Sequence, residues 1–243
     1  MSKVLFRILG LGFIALAAIS PSAAQTVDEI LGKMVQAQGG TEALLAVKDY
    51  AMYGDVQLHQ QGMSASFSLY WKAPDKYRQE MQMDAMFIAS FFNGDSGWGV
   101  HPRAPKGEKL SGAVLKSLKR SALAPSAICD PAKHGLTFEL KGRENVSGKD
   151  CFVLEMTFPD GFKEQQLVDS QSYFVIKRRF KTAGDSGPVV DAEVLYLGYK
   201  KFGGVMFPSV FANVAEGREY NRIRIADIKV NGGLADSLFE PEK

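Results

Sequence analysis

The 243-residue chain has few of the residues that build reactive sites: it contains three histidines and two cysteines. His59, His101 and His134 stand far apart, with no pair at ligand spacing and no Cys-His grouping, so we expect no metal site. The chain also lacks a glycine-rich phosphate loop between a strand and a helix. These absences predict a protein without a cofactor.

The chain has no apolar run of the length that spans a bilayer. The run from Ile8 to Ile19 falls short of about 20 residues. It follows Lys3 and Arg7 and precedes small residues, which is the pattern of a cleavable secretory signal peptide. We predict cleavage after Ala24, with no lipid-attachment cysteine at the cleavage site and an uncleaved anchor as the alternative.

An excess of charge of one sign is also missing. Residues 1–24 contain two basic residues and no acidic one, so their removal changes 29 basic against 27 acidic residues into 27 against 27. A mature chain without net charge has no bulk attraction for nucleic acid, which is therefore not an expected partner. No Ser/Gly/Pro tract or charge block marks a linker. Residues 25–243 are predicted to form one all-β domain.

The two cysteines, Cys129 and Cys151, leave two interpretations open. An even number in an exported protein permits one disulfide. This disulfide would close a loop of about twenty residues and stabilise the fold by about 3 kcal/mol. Two unbonded, half-buried thiols fit the same sequence equally well.

The residues that are present predict a helix followed by many strands. Thr26 and Glu29 form a capping box, the apolar residues after them recur at helical spacing, and Gly39-Gly40 ends the helix. Thr41 can cap a second short turn. From Asp49 the apolar period changes to two, which is typical of an antiparallel sheet with one buried face. The clearest strands are predicted at 63–71, 77–84, 151–158, 162–169, 173–180, 189–200, 205–214 and 219–230.

Residues 111–123 do not follow the strand pattern and predict an amphipathic helix. Val114, Leu115 and Leu118 lie on its apolar face, and lysine and arginine residues lie on the other. Such a helix packs on the sheet as ordinary core or covers a concavity as a lid. Packing on the sheet is the default, and the lid is the functional hypothesis.

The sequence Gly-Asp-Ser-Gly occurs at residues 94–97 and again at 184–187. It is similar to the surroundings of the nucleophile in trypsin-like proteases, where a histidine base is steadied by a carboxylate. None of the three histidines lies in the Ala-Ala-His-Cys context of those enzymes, and both copies consist of turn residues. We predict two turns and no catalytic residue. A serine hydrolase acting through Ser96 or Ser186 is the remote alternative.

The strands carry an unusual amount of bulky apolar surface. The chain has 16 phenylalanines, 8 tyrosines, 2 tryptophans and 9 methionines, more than one flat sheet can hide. A curled sheet with a helix across its mouth forms an apolar hollow that suits acyl chains, whereas a solid core is the alternative. The residues predicted to line the hollow share the apolar phase of their strands: Phe67, Leu69, Trp71, Met81, Met83, Phe152, Leu154 and Met156.

Short turn and strand segments recur in a recognisable order along the whole mature chain. They are Gly39-Gly40 with Val47-Lys48, the Lys-Ala-Pro turn in Trp71 to Arg78, Asn93 to Trp98, Val168-Asp169 through Lys177-Arg178, Gly203 to Pro208, and Asn231 to Phe239. This set resembles the outer-membrane lipoprotein-sorting proteins of the LolA-like superfamily.

The resemblance implies a mainly β fold: an unclosed antiparallel β-barrel, or half-barrel, with an N-terminal helix and an inserted helical segment over a hydrophobic cavity. It implies a non-enzymatic carrier in the periplasm that binds a lipid or acylated lipoprotein. The expected partners are an inner-membrane release complex and an outer-membrane acceptor. A periplasmic sensor domain that reads lipid or mislocalised lipoprotein is the alternative, since the superfamily includes sensors.

Overall fold

The computed structural model of the protein describes residues 25–183 and 189–241. The predicted signal peptide, residues 1–24, and the second Gly-Asp-Ser-Gly with Ser186 lie outside the described residues. Three α-helices are described: α1 (Val27–Ala37), α2 (Thr41–Ala46) and α3 (Gly112–Ser121). The capping box of Thr26 and Glu29 is confirmed at the start of α1. The N-cap of α2 is Gly40 rather than the predicted Thr41, which is the first helical residue.

Thirteen strands make up most of the described chain. They are β1 (Asp49–Leu58), β2 (Met63–Lys72), β3 (Lys76–Met83), β4 (Met86–Phe92), β5 (Gly97–His101), β6 (Ala104–Leu110), β7 (Thr137–Val146), β8 (Lys149–Thr157), β9 (Lys163–Asp169), β10 (Val175–Ala183), β11 (Val189–Phe202), β12 (Val205–Ala215) and β13 (Arg218–Val230). Short 3-10 turns follow α3 at Pro125–Cys129 and Ala132–His134, and a third lies near the C-terminus at Asp236–Phe239.

All thirteen strands belong to one antiparallel sheet. Their order is β6-β5-β4-β3-β2-β1-β13-β12-β11-β10-β9-β8-β7, so two meanders meet where β1 pairs with β13. The sheet is not closed, and the predicted half-barrel with few helices is confirmed. Gly54 lies at a bulge in the β1–β13 pairing, where a Cβ atom would come within 1.9 Å of a backbone oxygen of β13. Only glycine allows the two meanders to approach this closely.

The helices pack on the concave face of the sheet, the face that carries Phe67 and Met156. α1 buries Ile30, Leu31 and Met34 against the apolar residues of β8 and β9. α2 adds Leu44 to a cluster that is centred on β1, β2 and β13. α3 packs against β3, β4 and β5. Each helix therefore covers a different part of the concave face, and the surface between them stays open.

The C-terminal segment crosses β2 and β3 near their shared turn. The Asp236 carboxylate contacts the ammonium groups of Lys72 at 2.8 Å and Lys76 at 2.9 Å. These two lysines hold the pKa of Asp236 at about 2, well below its usual value. Arg78 donates to the Leu238 carbonyl oxygen, and Phe239 is fully buried. These contacts attach the C-terminal segment to β2 and β3.

Candidate ligand-binding cavity

A cavity of about 700 Å³ lies between the concave face of the sheet and the segment that runs from α3 to the first 3-10 turn. Its volume is within the range of about 300–1,000 Å³ that small-molecule sites occupy. Side chains of β2 and β3 form one wall, and side chains of β7 to β13 form the other. Apolar and aromatic lining residues include Phe67, Leu69, Met81, Leu136, Phe138, Met156, Phe158, Phe162, Phe180, Phe211 and Ile223.

Four of the eight residues that the sequence predicts at the cavity do line it. These are Phe67 and Leu69 from β2, Met81 from β3 and Met156 from β8. Phe67 and Met81 are direct neighbours across the β2–β3 pairing, whereas Met156 lies on the second meander. The curled sheet thus brings residues of two distant sequence segments to the same hollow.

The other four predicted residues lie outside the cavity lining. Phe152 and Leu154 are buried under α1, where they form helix–sheet core. Trp71 is buried, and its Nε1 donates to the Ala122 carbonyl oxygen at 2.8 Å. Met83 is half-buried and packs beside the central cluster at the end of β3. Most of these residues share the predicted phase but lie where a helix or loop already covers the sheet.

None of the three residues predicted on the lid helix lines the cavity, and two of them, Leu115 and Leu118, pack on the sheet. Leu118 is buried with Tyr77 and Phe92, and Leu115 packs against the same cluster. At Gly97 a Cβ atom would come within 2.9 Å of Leu115 Cδ1, so this glycine lets α3 lie close to β5. Val114 is half-buried. The apolar face of α3 is thus ordinary core, as the default interpretation expects.

Three polar residues of α3, Ser117, Arg120 and Ser121, contribute to the cavity wall. Arg120 Nη1 lies 2.5 Å from Asp160 Oδ2, in the turn between β8 and β9, and its guanidinium stacks 4.0 Å from the centre of the Phe162 ring. α3 packs on the first meander and Asp160 belongs to the second. Arg120 therefore bridges the cavity from one wall to the other.

A polar cluster lies inside this otherwise apolar cavity and was not predicted from the sequence. Arg178 Nε and Nη2 both donate to Glu164 Oε2, and Nη1 donates to the Tyr196 hydroxyl at 3.1 Å. Gln166 Nε2 donates to Glu164 Oε1 at 2.9 Å. All four side chains line the cavity. The Glu164 side chain is 1% exposed and that of Arg178 is 33% exposed, so the arginine is the more accessible member of the pair.

The electrostatics of the cluster keep the arginine charged. Burial alone lowers the pKa of Arg178, but the neighbouring Tyr196 and Glu164 groups outweigh it and raise the pKa above its ordinary value. Nearby, burial raises the pKa of Tyr199, whose hydroxyl donates to the Val175 carbonyl oxygen at 2.7 Å. Tyr199 is therefore neutral, and its hydroxyl hydrogen already takes part in the bond to Val175.

The sequence does contain a signal for this cluster. Arg178 is two residues before Phe180 and therefore shares the phase of an apolar, inward-facing residue. Glu164 and Gln166 lie on one face of β9, and Leu167 lies on the other face. Glu164 pairs across the sheet with Phe180 of β10, and Gln166 pairs with Arg178. A bulge between Val175 and Lys177 shifts the β9–β10 register. This bulge breaks the simple alternation and hides the inward direction of Arg178.

The first Gly-Asp-Ser-Gly forms the turn between β4 and β5. Asn93 Oδ1 accepts hydrogen bonds from the amides of Asp95 and Ser96, as expected of an Asx turn. The Ser96 hydroxyl donates to Asp95 Oδ2 at 3.2 Å. Within residues 25–183 and 189–241, no histidine is hydrogen-bonded to Ser96. His59 contacts Glu219 and His101 contacts Glu108 instead.

The two cysteines are free thiols, so the disulfide that the sequence permits is not formed. Cys129 lies in the 3-10 turn on the concave side, beside the central cluster. Cys151 precedes Phe152 on β8 and packs with Val153 and Leu167 on the opposite face of the sheet. Burial raises the pKa of both thiols, so neither is an activated nucleophile.

Across 25–183 and 189–241, no group of three or more His, Cys, Asp or Glu side chains is arranged to hold a metal ion. In the same ranges no helix has both the length and the apolar character needed to cross a membrane.

Three solved structures share this architecture over nearly the whole chain. A DUF1329 family protein from Desulfovibrio piger is 19% identical, with a TM-score of 0.60 over 88% of this chain and 97% of that one. A LolA superfamily protein from Nitrosomonas europaea is 17% identical, with a TM-score of 0.59 over 89% and 98%. A domain named for outer membrane lipoprotein sorting, from Vibrio parahaemolyticus, is 15% identical, with a TM-score of 0.57 over 87% and 95%.

Sequence comparison adds nothing to these structural matches. No protein-family model matches the chain, and no curated protein matches it. Identities below 20% show the fold and not the activity. The predicted resemblance is confirmed at the level of the fold: the chain has a LolA-like half-barrel.

Proposed function

We propose that the protein is a periplasmic, non-enzymatic carrier that buries the acyl chain of a lipid or lipoprotein. The observation that carries this proposal is the cavity of about 700 Å³ on the concave face, with walls of apolar and aromatic side chains. Burial of an acyl chain there is favourable by about 25 cal/mol for each Å² of apolar surface removed from water. Met81 and Met156 suit such a site, since methionine adapts to irregular apolar shapes.

The proposed domain is residues 25–243, acting as one unit after removal of the signal peptide. All described strands belong to a single sheet, which supports this division. Export fits the signal-peptide pattern of residues 1–24 and the names of two proteins of similar fold. The partners we propose are a release complex at the inner membrane and an acceptor at the outer membrane.

We infer that movement of the α3 segment relative to the second meander widens the cavity for ligand entry. Arg120 is the contact that joins the two, through Asp160 and Phe162. The Arg120 side chain is 20% exposed and that of Asp160 is 27% exposed, so both groups are partly solvated and their separation does not strand a fully buried charge. We expect Arg120→Ala to exchange bound ligand faster than the wild type while keeping a similar melting temperature.

A fluorescent long-chain acyl probe tests the carrier function directly. The wild-type protein should bind it saturably, and Met81→Trp, which places a larger and more rigid side chain in the cavity wall, should weaken binding about tenfold. Gln82→Trp is the matched control, because Gln82 is the next residue of β3, is exposed and does not line the cavity. Wild-type protein that binds no probe, or Met81→Trp protein that folds and binds as well as the control, would contradict the proposal.

Native mass spectrometry of the protein purified from its own cell envelope is the complementary measurement. A bound diacyl species supports the carrier. Cross-linking in the same cells then separates a carrier from a sensor: a carrier traps a release complex and an acceptor, and a sensor traps a signalling protein. Labelling with a serine-directed fluorophosphonate tests the hydrolase alternative, since modification of Ser96 or Ser186 would require an enzyme.

A further inference from the structure

The ion pair of Glu164 and Arg178 is unnecessary for simple burial of hydrocarbon. Taking both charges out of water costs several kcal/mol each, and apolar residues of similar volume are often as stable. An acyl chain gains nothing from charges in the wall of its site. The position of the pair inside the cavity therefore points to a polar group on the ligand.

A count of hydrogen-bond donors shows what the cluster still offers. A guanidinium has five N–H groups, and Arg178 uses one from each of its three nitrogens, two toward Glu164 and one toward Tyr196. The Tyr196 hydroxyl accepts the bond from Arg178, and its own hydrogen has no acceptor among the residues that the structure describes. Both side chains reach the cavity. The free capacity of the cluster is thus of the donor type.

The other cavity tyrosines differ from Tyr196 in this respect. The Tyr199 hydroxyl already donates its hydrogen to the Val175 carbonyl oxygen. Tyr220 lies at the exposed rim, where its side chain reaches solvent. Tyr196 is held in place by Arg178 and by an edge-to-face contact with Phe211, with ring centres 5.6 Å apart. Only Tyr196, of these three, is both oriented and free to donate.

The charge of the cluster selects the kind of acceptor. Glu164 already neutralises Arg178 through two hydrogen bonds to the same carboxylate oxygen. A carboxylate or phosphate on the ligand would gain from Arg178 but would be repelled by Glu164 in a low-dielectric site. A carbonyl oxygen accepts the same hydrogen bonds without this repulsion.

We propose that Tyr196 and Arg178 form a binding site for the carbonyl group of a neutral acyl ester or amide whose hydrocarbon chain fills the cavity. This inference rests on the proposed carrier function and names its ligand class. The hydrocarbon supplies most of the affinity, and the carbonyl fixes the depth and direction of the chain. An alkane has no carbonyl group to accept these hydrogen bonds, and the carboxylate of a free fatty acid is repelled by Glu164. Both should therefore bind more weakly than the ester.

Displacement of an apolar fluorescent dye by three ligands of equal chain length tests the site: an alkane, a methyl ester and the free acid. The wild type should prefer the ester to both others. Tyr196→Phe removes one hydroxyl and should weaken ester binding about three- to tenfold, with alkane binding unchanged. Tyr53→Phe is the matched control, because Tyr53 lies on β1 outside the cavity lining, and this variant should bind all three ligands as the wild type does.

The outcomes separate this inference from the carrier proposal. If the alkane and the ester bind equally, or Tyr196→Phe leaves ester affinity unchanged, the carbonyl site is wrong and the carrier proposal stands. If the free acid binds more tightly than the ester at neutral pH, the site accepts an anion and the assignment to a neutral carbonyl is overturned. If no ligand displaces the dye from the wild type, the carrier proposal itself fails.

Discussion

Removal of Arg178 should destabilise the protein far more than removal of its partner Glu164. Arg178→Met keeps the length of the side chain but leaves the Glu164 carboxylate, which is 1% exposed, with Gln166 as its one remaining hydrogen-bond partner in the described structure. Glu164→Gln leaves the Arg178 guanidinium with Tyr196 and with access to the cavity, since that side chain is 33% exposed. Both variants break the same ion pair. Arg178→Met leaves the Glu164 carboxylate without its cation, and Glu164→Gln leaves the Arg178 guanidinium without its anion.

The magnitudes follow from the exposure of each group. An uncompensated buried charge costs about 3–5 kcal/mol, so Arg178→Met should lose this much of a total stability of about 5–15 kcal/mol. Glu164→Gln should lose about 1–3 kcal/mol, because its stranded group is partly solvated and keeps one bond. The double variant Glu164→Leu with Arg178→Met leaves no charge behind and should be more stable than Arg178→Met alone.

Urea unfolding followed by circular dichroism measures these differences. Equal losses in the two single variants, or a double variant no more stable than Arg178→Met, would refute the reasoning. Such results would mean that water reaches Glu164 in the folded protein.

Three further predictions concern the rest of the fold. Gly54→Ala should prevent folding because its Cβ would lie 1.9 Å from a backbone oxygen, whereas Gly32→Ala, with open space in α1, should raise stability by up to about 1 kcal/mol in thermal unfolding. The lowered pKa of Asp236 stabilises the fold above pH 4 and this contribution is lost toward pH 2, so Asp236→Asn should flatten acid-unfolding curves in that window. Without reductant, unfolded protein should expose two reactive thiols, Cys129 and Cys151.

The strands that could be predicted from the sequence are those with one apolar face and regular alternation. β2 and β3 are examples, since Phe67 and Met81 lie in unbroken two-residue patterns. The edge strands β6 and β7 were not among the clear predictions. β6 contains Pro105 and Gly107, and β7 carries alternating charges and a bulge near Gly142. These features protect a sheet edge from unwanted pairing, and they also remove the pattern that marks a strand.

The sequence predicts an apolar cavity on the inner face of the sheet, but only four of the eight residues named for its lining lie there. Periodicity gives the face of a strand on which a side chain lies, and this was correct for Phe152 and Leu154. It does not tell which part of that face a helix covers, because docking of α1 depends on contacts between residues more than 100 positions apart. Arg178 shows the converse problem: its spacing to Phe180 indicates the inward face, but the bulge between Val175 and Lys177 interrupts the alternation from which that face is read.

The presence of an open hollow follows from the dimensions of the parts. Thirteen strands about 4.8 Å apart make a sheet about 58 Å wide along its curve. Three short helices, each about 10 Å across, cover about 30 Å of that width when they lie side by side. Apolar side chains of most strands face inward, so the part of the concave face that the helices leave uncovered must curl onto itself or enclose a space. The edge strands β6 and β7 do not pair, so the sheet does not close into a narrow barrel whose side chains fill the interior. The cavity therefore follows from the width of the sheet and the small area that the three helices cover.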